Sequence, residues 1–188
     1  MCAVGEPVQG SVGDDRMNIE LIKIPTQDDW RLCRMAALNT IWKSGGDEPS
    51  EDWKRKILKA GHSPIRVLTF YIRIKDIPYC DAMHLTRHVH AVPFVSSQRN
   101  DRQDRYDRRK APQDAPVNMD WFVNAEELIT VAHKRLCNQA SAETRAVVAE
   151  ICRQVLTVCP EFDGLLVPLC VYRNGLCTEF KPCGRWEE

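Results

Sequence analysis

Residues 87–99 read Arg-His-Val-His-Ala-Val-Pro-Phe-Val-Ser-Ser-Gln-Arg. Arg87 falls near the end of a predicted helix, and Ser97 and Arg99 follow a short apolar stretch, Ala91 to Val95. A guanidinium holds its charge at any physiological pH and grips phosphate oxygens in a fork. A serine hydroxyl adds a neutral hydrogen bond to the same oxygens. Arg87, Ser97 and Arg99 thus read as a group able to converge on one anion. Their ordinary reading is a surface arginine and a strand-end serine.

Further along, Asn124-Ala125, Leu128, Arg135, Ala140 and Glu143 fall in two predicted helices, from about Asn124 to Asn138 and from Ser141 to Cys159. Asn124 and Arg135 are eleven residues apart, about three helical turns, and so share a face. Leu128 and Val131 lie between them, an apolar strip flanked by polar groups that suits a planar ring with polar edges. Their plainer reading is an N-cap and a snorkelling arginine.

In this order and spacing the two segments resemble the flavin-dependent thymidylate synthases, whose signature is Arg-His-Arg, seven residues, Ser, one residue, Arg-Tyr. Val89 stands for the third residue and Asn100 for the last. Gly61-His62-Ser63-Pro64, the strand around Phe70 and the Ala36-Ala37 helix are also similar to that family. The likeness covers residues 30–98 and 117–160. Between the motifs the family has a longer stretch with a nucleotide-binding arginine, replaced here by a short Arg/Asp loop.

The resemblance implies an α+β fold, an antiparallel sheet with packed helices, assembled as a homotetramer with active sites between subunits. It implies transfer of a one-carbon unit from methylenetetrahydrofolate to C5 of dUMP, with FAD reduced by NADPH. Arg87 and His88 would then contact the flavin, with Asn124 beside it. Ser97 and Arg99 would contact the nucleotide, and Arg135, the candidate catalytic residue, the uracil edge. Val89, Val92, Phe94, Val95, Thr130 and Val67 replace polar positions of the family. An unpaired buried polar group costs about 1–3 kcal/mol, so a flavin is either held differently or absent. The alternatives are the same fold without redox chemistry, as a nucleotide-binding or assembly protein, and another C5 modification such as hydroxymethylation.

The rest of the chain sets bounds. Its 188 residues suit one domain: a leader at 1–16, an α+β domain at 17–164 and a Cys-rich tail at 165–188. With 26 basic and 26 acidic residues, no global field draws nucleic acid or membrane. No apolar run is long enough to cross a membrane and no secretion signal is evident, so a cytoplasmic protein with reduced thiols is expected.

Met17 to Ile24 and Val117 to Val123 read as strands, as does Val67 to Ile74. Trp30, Cys33, Ala37 and Ile41 mark a helix behind Asp28-Asp29. Another starts at Ser50-Glu51-Asp52, and a third runs from Pro78 to about His88. The helix from Ser141 presents Val148, Ile151, Val155 and Val158 on one face. Arginines and aspartates alternate through residues 98–116, where Tyr106 could stack on single-stranded nucleic acid; a solvated loop or lid fits the cancelled charge better. His84, His88 and His90 suit donors to a ligand better than a metal site. Cys170, Cys177 and Cys183 sit among glycine turns. They form a candidate zinc cluster to be completed by a histidine or by Cys159 or Cys137, or else they pack as small hydrophobes.

Overall fold

The computed structural model describes residues 18–186; the predicted leader lies outside them. Its centre is a pair of long strands. In β2 (Thr69–Pro78), Phe70, Ile72 and Ile74 point inward while Tyr71, Arg73 and Lys75 point outward, the period of two that a half-buried strand requires. In β4 (Pro116–Asn124), Val117, Met119, Trp121 and Val123 are inward. The two run antiparallel with Phe70 opposite Val123 and Ile72 opposite Trp121, so the apolar sets share one face. The register shifts between Ile74 and Ile77, next to Asp76, whose φ of 57° is left-handed. β1 (Asn18–Lys23) and β3 (Ala91–Val95) complete a four-stranded antiparallel sheet of order β1-β2-β4-β3.

Helices cover the inward face. α1 (Gln27–Asn39) buries Trp30 and Cys33. Its cap is Thr26, paired reciprocally with Asp29 in a capping box, rather than the aspartate pair itself. Ile41 lies past its end and is exposed, correcting the predicted extent. α2 (Glu51–Ala60) is capped by Ser50 and stopped by Gly61, left-handed at φ 63°. Val67 belongs to a 3₁₀ turn (Ser63–Val67), so the strand starts two residues later than its β-branched run suggested. α3 (Tyr79–Leu85) ends before Arg87 and His88, not after them.

α4 (Ala125–Arg135) and α5 (Ala142–Val158) pack centrally. Val148, Ile151 and Val155 are buried as expected, whereas Val158, at the end, is exposed. Thr144 fills the third position after the Ser141 cap for a reason the sequence hid. It receives the Ser141 hydroxyl at 2.8 Å and donates to buried Asp81 at 2.6 Å, tying α5 to α3. A short helix, α6 (Leu169–Tyr172), follows in the tail. Phe162 meets Phe70 edge-on at 5.6 Å, closing the core. Among the described residues no helix is long and apolar enough to cross a membrane. Among the described residues no helix covers the outer sheet face, which leaves Val92, Phe94 and Phe122 exposed.

Candidate functional site

Pairing of Ala91 with Val123 brings the 86–90 turn beside the start of α4. Asn124 caps that helix, its side-chain oxygen accepting from the Glu127 N–H at 2.9 Å. Asn-x-x-Glu normally closes a capping box. Here Glu127 turns away instead, and its buried carboxylate lies 3.2 Å from His88 Nδ1. Arg135, at the far end of the helix, donates from Nε to His88 Nε2 at 3.0 Å and from a terminal nitrogen to the His84 carbonyl at 2.9 Å. Because Nε2 accepts, the proton of neutral His88 must sit on Nδ1 and point to Glu127. Glu127, His88 and Arg135 are one chain of hydrogen bonds.

The electrostatics favour a neutral His88. Burial lowers the His88 pKa, Arg135 lowers it further, and Glu127 pulls the other way. Burial and the neighbouring Arg87 also lower that of Arg135. Arg87 is exposed and makes no ion pair among the described residues, so two guanidiniums adjoin at this end of the sheet. With two donors spent, Arg135 keeps three N–H groups for a ligand. The Asn124 amide nitrogen remains available too, since only its oxygen serves the cap.

Leu128 and Val131, expected beside a ring on the same face, are fully buried in the core. The apolar strip of α4 packs the protein and is closed to a ligand. Asn124 is indeed the N-cap, as its plainer reading had it. His88 lies outside α3, so His84 and His88 do not share a helical face, and only the His84 carbonyl enters the network. Val89, where the family has arginine, is 82% exposed.

Ser97 and Arg99 lie elsewhere. The five residues of β3 separate them from His88, on the order of 15 Å at strand rise. The Ser97 hydroxyl accepts from the Arg99 N–H at 3.2 Å, and Arg99 forks onto Asp101 at 2.9 and 2.7 Å. The Arg/Asp loop is tied down: Arg105 holds Asp76 of β2 at 2.6 Å, and within the loop Asn100 donates to Asp107 at 3.0 Å. The Tyr106 hydroxyl donates to the Pro116 carbonyl at 3.2 Å, so its ring is anchored rather than offered for stacking.

An open groove of about 370 Å³ adjoins this end of β3, lined by Arg73, Lys75, Phe94, Ser96, Asn118 and Asp120. Asp120 accepts a fork from Arg73 at 2.9 and 3.0 Å and the Tyr71 hydroxyl at 2.9 Å. The Arg73 guanidinium holds its carboxyl below the usual range. Neither Glu127 nor this groove was foreseen. The capping pattern at Asn124 marked Glu127, but its diversion to His88 depends on the sheet register.

Residues 106–161 match the family described as thymidylate synthase complementing protein, a span that includes Asn124 and Arg135. The fold is similar to thymidylate synthase X of Helicobacter pylori, crystallised with FAD and dUMP, at a TM-score of 0.60 and 15% identity over 80% of this chain and 97% of that one. It is similar also to the UMP/dUMP methylase PolB of Streptomyces cacaoi, bound with 5-Br dUMP, at 0.62 and 13% over the same shares. No curated protein matches the sequence. The partial sequence match and the shared fold agree with the resemblance carried by the two ordered motifs, and the expected α+β architecture is the one observed.

Proposed function

We propose that this protein is an enzyme that binds dUMP and FAD and transfers a one-carbon unit to C5 of the pyrimidine. Methylenetetrahydrofolate would be the donor and NADPH the reductant. The observation that carries the reading is the Glu127–His88–Arg135 chain beside unpaired Arg87, on a fold shared with two pyrimidine-nucleotide proteins.

The residues fit an anionic, planar ligand. Arg87 offers an unpaired charge, Asn124 an amide donor, and Arg135 three N–H groups held in a fixed plane. Arg87 and Asn124 would hold the flavin, whose chemistry when bound is hydride delivery. His88 would contact it only by giving up one of its two present partners. Its role is rather to lock Arg135 in orientation, with Glu127 fixing the tautomer. Arg135 then meets the uracil edge and steadies negative charge developing on the ring. Ser97 and Arg99, beside the groove of Arg73 and Asp120, would take the nucleotide phosphate once Arg99 exchanges Asp101 for it.

The two halves stand apart in one chain, which favours sites assembled between copies, as in the homotetramer that the resemblance implies.

A purified sample should show flavin absorbance or take up FAD, and calorimetry should detect dUMP. Colourless protein binding neither ligand refutes the proposal. A second reading rests on Val89 and on the two occupied nitrogens of His88: the fold is kept as a nucleotide-binding or assembly protein without redox chemistry. NADPH oxidation stimulated by dUMP would reject it, and a different C5 product would narrow the first reading to another modification such as hydroxymethylation.

A further inference from the structure

Seven of the eight described cysteines fall into two sets. Cys33, Cys152 and Cys159 are buried, and burial pushes each thiol up to about 12, as expected of inert packing groups. Cys137, Cys170, Cys177 and Cys183 instead line one small cavity between the end of α4 and the tail, together with His133. Four cysteines meeting at one place need a reason, because Leu176, Phe180 and Trp186, the large apolar residues of the last stretch, stay exposed while the thiols turn inward.

The tail is clamped onto the 137–139 turn by groups flanking the thiols. Arg185 donates to the Asn138 side-chain oxygen at 2.9 Å, Gln139 donates to the Lys181 carbonyl, and Lys134 pairs with Glu179 at 3.0 Å. These contacts flank Cys137 on one side and Cys183 on the other.

An independent observation comes from His133. Its ring is tilted against that of Tyr172, with centroids 4.8 Å apart. Its Nε2 is buried with no hydrogen-bond partner. A buried ring nitrogen without a partner is a rare and costly state unless something occupies it.

We propose that this cavity binds one zinc ion, with Cys137 and Cys183 as thiolate ligands and two more donors from Cys170, Cys177 and His133. Thiolate and imidazole in a closed site of four donors are the chemistry of structural zinc. Among the described residues no three such side chains are yet grouped at coordination range. Binding therefore draws the irregular 173–186 segment inward, so metal and tail order are coupled. The site completes the tail cluster with Cys137 and excludes Cys159, which caps α5. It is independent of the nucleotide reading.

The test uses the full chain, grown with zinc and purified without chelator. Elemental analysis should find about one zinc per chain, released by a thiol-specific mercurial. Cobalt should replace it with sulfur-to-metal charge-transfer absorption and the intense d–d bands of a tetrahedral site. Cys137→Ser and Cys183→Ser should each lose most of the metal, and Cys80→Ser should keep it. Cys183→Ser lies in the tail and serves if Cys137→Ser fails to fold. Chelation should expose the tail to protease without unfolding the domain. Folded protein with no zinc and no cobalt spectrum overturns the proposal. So does a Cys137–Cys183 disulfide in freshly isolated protein, or a tail equally resistant with and without chelator.

Discussion

Replacing His88 with alanine removes the middle of a buried chain and leaves two charged groups without their partner. Glu127 and His88 side chains are 6% and 10% exposed, so water replaces the lost bonds poorly. A hydrogen bond to a charged group contributes about 1.5–3 kcal/mol. Two such bonds are lost together, where water reaches poorly. A cost of about 3 kcal/mol should lower Tm by roughly 6–12 °C in a domain of this size.

Coupling makes the test sharper. Glu127→Gln in the same background removes the stranded charge, so the double variant should be less destabilised than the sum of the two singles by at least about 1 kcal/mol. Urea denaturation of the four proteins gives the cycle. Additivity within about 0.5 kcal/mol, or a His88→Ala cost below that, would refute the linked chain.

Arg135→Ala should abolish dUMP binding in calorimetry while sedimentation shows assembly unchanged, and Arg135→Lys should rescue little, since an ammonium cannot span His88, His84 and a ligand at once; parallel loss of assembly would make Arg135 structural. Acid should destabilise the fold: His88 has a lowered folded pKa, so its stabilisation is full above the unfolded value of about 6.5 and is lost as pH falls through the folded one. Thermal melts between pH 5 and 8 should show that decline, shallower in His88→Gln, and identical slopes would count against it. Asn124→Ala should cost about 1 kcal/mol as a lost N-cap, and a much larger fall in FAD affinity than in stability would mark its amide as a cofactor contact.

The sequence was most legible where one local rule governs. Ser50, Gly61 and Ser141 bound helices as capping chemistry dictates, and alternation placed Phe70, Ile72 and Ile74 in the core. Reading failed where distant partners decide. Helical spacing put Leu128 and Val131 beside a ligand, yet the sheet takes that face of α4. Glu127 stands where a capping box would use it, and only the sheet register sets His88 against it. Asp120 gained its role only when pairing put it opposite Arg73. For the tail, residue types suggested zinc, but only the chain's return to α4 selected Cys137 over Cys159.

The central claim is chemistry at C5 of dUMP, and release of tritium from dUMP labelled at that carbon tests it most directly. With FAD, NADPH and methylenetetrahydrofolate, the protein should release tritium to water in step with a product heavier by the added one-carbon group, and Arg135→Ala should do neither. Full retention of the label by folded protein with dUMP bound would contradict the account.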